Sequence, residues 1–325
     1  DLTLFHARFP MAWRREIEGR VLSRYGKNSP REQRRGIVVA TQVIEQSLDL
    51  DLDLMVSDLA PIDLLLQRAG RLHRHQRERR QGLAEPRLLL VEPENANDLP
   101  RWGNDAFVYE PYMLLRTFLL LRGRSSVSLP AETQALIEAV YGEAEPVAGA
   151  PAELLAALHA ARQEWEETRH REASEAEMRL VLPVDSPTLF ARPNSDLAEE
   201  DPGVHASLQA LTRIGGQGVT LICVHQRDGS TYLDMAGLEP VDLAGQPDSH
   251  LTADLMSCSV QVSHRALVHA FGTAAPPGAW RRHSLLRHCR LAMFEQGVCR
   301  VPNTRYRLTL SPQLGLVIAR DSDVS

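Results

Sequence analysis

The run Gly36-Ile37-Val38-Val39-Ala40-Thr41 limits the architecture more than any other segment of this 325-residue chain. Its apolar, β-branched residues follow one another without polar alternation. Such a run reads as a strand covered on both faces, as in parallel sheets flanked by helices. Leu2–Phe5, Leu54–Asp58 and Arg87–Val91 read as companion strands. Between the first two strands, Met11–Tyr25 spaces Trp13, Ile17 and Leu22 at helical intervals, and Gly26 follows as a stop. Pro61 suits the first turn of a second helix, expected from Ile62 to about Arg74. Strand, helix, strand, strand, helix, strand specifies an α/β layer with a mostly parallel sheet.

Further on, Asp105–Arg122, Ala131–Tyr141 and Ala152–Met178 read as helices, and after Pro202-Gly203 the pattern changes. A helix (His205–Arg213), a turn at Gly215-Gly216-Gln217-Gly218 and a strand (Val219–Val224) come first. Asp228-Gly229 then makes a hairpin turn into Thr231–Asp234, and strands Tyr306–Leu310 and Leu314–Ile318 flank Ser311-Pro312. This is expected to be a smaller α+β domain.

Charge marks the junction. The net charge is −6, yet residues 130–201 hold 5 Arg against 16 Asp and Glu, while both flanks are mildly basic. The acidic stretch is read as a solvated helical face followed by a linker. The basic flanks permit nucleic acid contact. Domain boundaries are expected at 1–125, 126–202 and 203–325. No apolar run approaches the roughly 20 residues of a membrane helix, and no secretory signal opens the chain. The four cysteines form no C-x-x-C pair, which disfavours a disulfide scaffold or zinc ribbon and suits reduced thiols in a cytoplasm.

Two segments carry the chemistry. Ala40-Thr41-Gln42-Val43-Ile44-Glu45-Gln46-Ser47-Leu48-Asp49-Leu50 leaves a strand end, where open α/β sheets place their ligands. The second is Gln67-Arg68-Ala69-Gly70-Arg71-Leu72-His73-Arg74. Lying on the helix after the next strand, it projects Arg71, Arg74 and Gln67 from one face, with Gly70 admitting another backbone. Two arginines and a glutamine aimed at one point suit a triphosphate. Arg77, Arg79 and Arg80 are read as a basic helix end, and Asp51 and Asp53 as solvated. His73 and His75 have no metal-ligating partners at suitable spacing and are read as polar residues of the helix end. Arg281, Arg282, Arg287 and Arg290 are read as a solvated helix face, His283 and His288 as surface residues, and Trp280 as core.

Thr41-x5-Ser47-Leu48-Asp49 and Gln67-Arg68-x-Gly70-Arg71-x-x-Arg74 resemble motifs V and VI of superfamily-2 helicases. More narrowly, Ala40 to Asp49, Asp58-Leu59-Ala60-Pro61-Ile62-Asp63 and Gln67 to His75 resemble the CRISPR-associated helicase–nuclease of type I interference systems. Leu4-Phe5-His6-Ala7-Arg8-Phe9 is similar to that family's motif IV region, and Val108-Tyr109-x5-Leu115-Arg116-Thr117 extends the likeness. So do Thr212-Arg213, Ser259-Val260, Pro277-x-Ala279-Trp280-Arg281 and Leu314-Gly315-Leu316.

The resemblance implies a second RecA-like domain with motifs IV, V and VI, a helical acidic linker and an accessory C-terminal domain. It implies an ATP site with Mg, shared with a first RecA-like domain. Arg71 and Arg74 would face the γ-phosphate, Gln67 would position the attacking water, and Gly70 and Asp49 would complete the nucleotide contacts. Thr41 and Gln42, with His6 and Arg8, would hold the phosphates of single-stranded DNA. The implied partners are that DNA, an RNA-guided surveillance complex, and the N-terminal nuclease and first RecA-like domains.

A phosphate loop needs G-x-x-x-x-G-K-S/T. The chain's single lysine, Lys27, follows Gly26, but Val21 stands where the first glycine belongs and Asn28 follows. No strand ends in a magnesium-binding Asp-Glu box, and none of the 12 histidines precedes an aspartate, so the His-Asp nuclease pair is absent as well. No metal site is expected within the chain. The expectation is therefore the C-terminal part of a larger ATP-dependent enzyme, either a truncated piece or half of a split gene, inactive alone. Two alternatives stay open: a non-enzymatic docking or regulatory module, and another superfamily-2 RNA or repair helicase.

Overall fold

A computed structural model describes residues 1–45, 48–96, 99–103, 105–143, 150–178 and 218–321. Ser47, the helix expected over His205–Arg213, Thr212-Arg213 and most of the glycine-rich turn lie outside the described residues. The fold is mixed α/β with parallel ladders, as the strand pattern requires. It divides into two compact units: 1–53, 71–86 and 216–325 form one, and 54–70 with 87–215 form the other. This differs from the linear partition at 125 and 202. The expected second RecA-like segment contributes to both units, with a boundary between Gly70 and Arg71.

In the first unit, β1 (Leu2–Phe5) pairs in parallel with β2 (Ile37–Ala40), Leu2 facing Ile37 and Phe5 facing Ala40. Helix α1 (Met11–Tyr25) packs Ile17, Val21 and Tyr25 against Phe5, Val43 and Leu50. Burying a side chain of that size stabilises by about 1.5–3 kcal/mol. The other face of β2 is open, with Ile37 65% and Val39 50% exposed. The expectation of a strand covered on both faces therefore fails here, because a two-stranded ladder presents only one face to α1.

The rest of that unit is a seven-stranded sheet in the order β13-β12-β11-β10-β7-β8, with β9 also pairing β7. Strand β7 (Val219–Arg227) is its apolar centre. Val219, Leu221 and Cys223 enter one core, while Ile222 and Val224 enter the other. The β7–β8 hairpin, with β8 at Ser230–Tyr232, turns on Asp228 and Gly229, both at positive φ, as the Asp-Gly pair predicts. Strands β9 (Ser259–Val262), β10 (Cys289–Glu295) and β11 (Val298–Arg300) precede the terminal hairpin of β12 (Tyr306–Ser311) and β13 (Gly315–Arg320). Strand β10 runs parallel to β7.

In the second unit, β3 (Leu54–Asp58) and β4 (Arg87–Val91) form a parallel ladder, and β5 (Glu94–Ala96) pairs with β6 (Leu99–Arg101). Helices α2 (Ile62–Ala69), α3 (Pro111–Leu121), α4 (Thr133–Tyr141) and α5 (Ala152–Met178) surround a core of Ile62, Leu115, Leu136 and Leu154. In α3 the buried Arg116 donates to the Tyr112 hydroxyl at 2.8 Å and the Ala139 carbonyl at 2.7 Å. Two helices of the first unit complete the set, α6 (Ser249–Ser257) and α7 (Arg265–Gly272). Among the described residues no helix is long and apolar enough to cross a membrane.

Candidate nucleotide and nucleic-acid site

The chain leaves β2 at Ala40 and enters a single 3-10 turn over Gln42–Glu45. Its geometry is set by the backbone: Thr41 N–H donates to the Phe5 carbonyl at 3.3 Å, and Ile44 N–H donates to the Thr41 carbonyl at 3.2 Å. Val43 turns into the core, which leaves Thr41 and Gln42 on the exposed side. A hydroxyl and an amide at a sheet's carboxyl end are suited to a backbone phosphate.

Helix α2 ends at Ala69, not near Arg74. Gly70 caps it, and a Cβ there would meet only carbonyl oxygens of Gln67 and Leu66, both at 3.4 Å. Past Gly70 the chain is extended: Leu52 N–H donates to the Arg71 carbonyl, and His73 N–H donates to the Leu52 carbonyl, bridging Leu72 to Leu52. His73 then takes φ 45°, and the path turns. Pairing with the Leu50–Leu52 segment outcompetes another helical turn, so Arg71 and Arg74 do not share a helix face.

They meet by another route. Arg74 Nε donates to Asp49 Oδ1 at 2.8 Å, and His75 Nε2 shares that oxygen at 2.9 Å. Arg71 Nη2 donates to the Glu45 carbonyl at 3.3 Å. Desolvation acts to raise the Asp49 pKa, but His75 and Arg74 outweigh it and hold the carboxyl below the usual aspartate range. For Arg71, burial and then the Arg74 charge disfavour the cation, with Asp49 opposing. One guanidinium paired with Asp49, and a second, half-buried one that feels the charges of both, are electrostatically prepared for a polyanion. Gln67 is exposed on α2, in the second unit. In that unit Arg68 reaches the Ser57 hydroxyl at 2.6 Å and the Tyr109 hydroxyl at 2.8 Å, tying the end of β3 to the Val108-Tyr109 motif.

Other residues change roles. His6 is only 8% exposed, its Nδ1 accepts from Arg8 N–H at 3.1 Å, and its ring stacks on Phe9. Its ring is thus spent within the protein, while the Arg8 side chain remains exposed. Burial, then the Arg8 charge, lowers the His6 pKa. Asp51 and Asp53 are not solvated: Asp51 is buried and pairs with Arg77 and with Arg79, the latter at 2.8 Å, while Arg79 also reaches Asp53 at 3.0 Å. Arg77 and Arg79 are therefore interior anchors, not a solvated helix end. Arg80 donates to the Arg34 carbonyl at 2.8 Å. No sequence period marks such contacts; alternating Asp49, Asp51 and Asp53 before a cluster of arginines was the available signal.

In the accessory sheet, Trp280 is buried as expected. The Arg281–Arg290 stretch is not a helix face. It comprises short turns leading into β10, where Arg290 donates to the Phe271 carbonyl at 3.1 Å. His283 closes a turn, accepting from Leu286 N–H at 3.2 Å. Among the described residues no group of three His, Cys, Asp or Glu could hold a metal ion.

A family model for the C-terminal part of the CRISPR-associated nuclease/helicase Cas3 matches residues 1–77, and one for the Cas3 C-terminal domain matches 213–316. The CRISPR-associated endonuclease/helicase Cas3 of Thermus thermophilus is 37% identical over 326 residues, covering 97% of this chain and 34% of that protein. A crystal structure of a CRISPR-associated protein superposes with TM-score 0.84 at 34% identity, over 98% of this chain and 34% of its own. T. fusca Cas3 with AMPPNP follows at 0.77, 29% identity, 98% and 35%. A chain of a CRISPR RNA-guided surveillance complex in its pre-nicking form gives 0.71, 29% identity, 98% and 37%. The chain spans about a third of the length of the relatives it matches.

Proposed function

We propose, for a chain that belongs to the Cas3 family and matches its C-terminal portion, that it supplies one wall of an ATP site and one side of a single-stranded DNA track. The observation that carries this reading is the convergence of Arg71 and Arg74 beside Asp49, next to the strand-end turn bearing Thr41 and Gln42. Arginines placed there stabilise negative charge as it develops on a transferred phosphoryl group. Asp49 orients Arg74 and offers oxygens to the nucleotide. The resemblance adds Gln67 and Gly70 to the nucleotide contacts.

The lysine that reaches the β- and γ-phosphates has no place in this chain, whose single lysine, Lys27, stands outside a phosphate-loop pattern. The resemblance places that lysine, and the Mg2+ site with it, in a first RecA-like domain. Thr41 and Gln42 hold a DNA phosphate through hydroxyl, amide and backbone, and Arg8 adds a charge. Such contacts carry no sequence information and suit a translocase that tracks any strand. The chain's role in the whole protein is thus to complete ATP hydrolysis coupled to DNA unwinding, with strand cleavage performed by the nuclease portion. An RNA-guided surveillance complex is the partner that delivers the DNA, in line with the complex that contains a structural relative. The direct test grafts this chain in place of the matching third of the T. thermophilus relative and measures DNA-stimulated ATP hydrolysis with and without Arg71 and Arg74.

A further inference from the structure

Asp51 is fully enclosed, with a side chain 0% exposed. It accepts from the Arg74 backbone N–H at 3.0 Å and from Arg79 Nη2 at 2.8 and 3.1 Å, and it also pairs with Arg77 Nε. Arg77 and Arg79 are themselves 9% exposed, so three charged groups share one interior site. A buried ion cluster of this kind is poor evidence for stability, since apolar residues of similar volume often serve as well. An apolar side chain at position 51 would leave one task undone. It would have no oxygen for the Arg74 amide.

That amide is the last of three contacts that fix a short stretch of backbone. Leu52 N–H binds the Arg71 carbonyl at 2.8 Å, His73 N–H binds the Leu52 carbonyl at 3.1 Å, and Arg74 N–H binds Asp51. Between them His73 adopts φ 45°, a conformation that a residue with a side chain holds only when its surroundings impose it. The Arg71 and Arg74 backbones are thus registered against the same strand-like segment, Asp49 to Leu52, that carries the carboxylate partner of Arg74.

We propose that Asp51, neutralised by Arg77 and Arg79, is the positioning residue that sets the spacing of Arg71 and Arg74 for phosphoryl transfer. The inference rests on the nucleotide reading above: Asp51 touches no substrate and acts only through the two arginines. Misplacing a group that stabilises the transition state by about 1 Å costs on the order of 10²-fold in turnover.

Two measurements test it. In the chain itself, Asp51→Ala speeds hydrogen exchange of the Arg74 amide at least roughly tenfold, while the Cys223 amide in β7 keeps its protection. An unchanged Arg74 amide, or equal loss at both, overturns the proposal. In the grafted protein, Asp51→Ala lowers kcat about 10²-fold with little change in KM, and Asp51→Asn, which keeps one oxygen for the amide, recovers much of the loss. In an Arg71→Ala/Arg74→Ala background, Asp51→Ala costs nothing further. If it costs the same factor there, Asp51 is a stability residue only. Should Asp51→Ala fail to fold, Asp51→Leu, which fills the site but offers the Arg74 amide no oxygen, carries the same comparison in both backgrounds, and an equal loss in both rejects the positioning role. If the double arginine variant alone keeps normal turnover, the nucleotide reading fails, independently of any Asp51 result.

Discussion

Gly315 passes so close to Arg8 that a Cβ at position 315 would stand 2.7 Å from the Arg8 carbonyl oxygen. The same carbonyl accepts from Leu316 N–H at 2.8 Å, and Gly315 holds φ 66°. The start of β13 is thereby fastened to the loop after β1. Trp13 adds a second tie, packing against both the N-terminal core and one core of the accessory sheet. The accessory sheet and the first parallel ladder therefore form one compact unit although they come from opposite ends of the chain.

Gly315→Ala should be among the most damaging small substitutions in the chain. It introduces a side chain at positive φ, which costs about 1–2 kcal/mol, and the contact with Arg8 backbone adds to that. Chemical denaturation should report a loss of at least about 2 kcal/mol, with exchange protection at the Leu316 amide falling first. An unchanged midpoint would show that the hairpin is not seated on Arg8.

Acid should weaken the first unit before its carboxylates titrate. His6 and His225 are both held below the ordinary histidine pKa, chiefly by burial. Each therefore takes up a proton less readily in the folded state than in the unfolded chain. Stability is fully present above a pH of about 6.5 and falls as pH drops from there towards the depressed folded values. Denaturation midpoints between about pH 5 and 7 should show this slope, and the His6→Gln/His225→Gln variant should flatten it. A slope unaltered in that variant assigns the effect elsewhere.

Arg116→Ala should destabilise the second unit by about 3 kcal/mol, because Tyr112 and the Ala139 carbonyl lose a charged donor and a cavity opens in α3. Thermal unfolding should resolve this, with protection of amides in β7, in the other unit, unaltered. A shift under about 1 kcal/mol would mean that solvent replaces the guanidinium at little cost.

For the DNA track, Arg8→Ala should lower affinity for single strands and reduce the salt slope of binding by about 0.7. Thr41→Val should lower affinity with no change in slope, since a hydroxyl releases no counterion. Titrations of a labelled oligonucleotide at several salt concentrations separate the two. Equal slopes for Arg8→Ala and the unaltered chain would remove Arg8 from the track.

Much of the ladder pattern was readable because apolar strand runs and helical periods are local properties: β1 through β4 and α1 fall where periodicity puts them. The end of α2 was not readable. Nothing local separates Arg71 from a helix, since the stop comes from pairing with Leu52, remote in sequence. Strand β10 was hidden in the same way, because Cys289 to Glu295 mixes apolar and charged residues and becomes a strand by lying beside β7. The motif residues Arg71, Arg74 and Asp49 were identifiable in the sequence, but their convergence by an extended path was not. Asp51 was missed because a carboxylate in an alternating acidic run looks solvated until its arginine partners are placed beside it.

The central claim is that this chain brings two arginines to a nucleotide whose lysine lies elsewhere. Its most direct test is the DNA-stimulated ATPase rate of the graft in the T. thermophilus relative, with Arg71→Ala and Arg74→Ala made singly. The account predicts a fall in kcat of roughly 10³-fold or more for each, with single-strand binding retained. Near-normal turnover in both variants would contradict it.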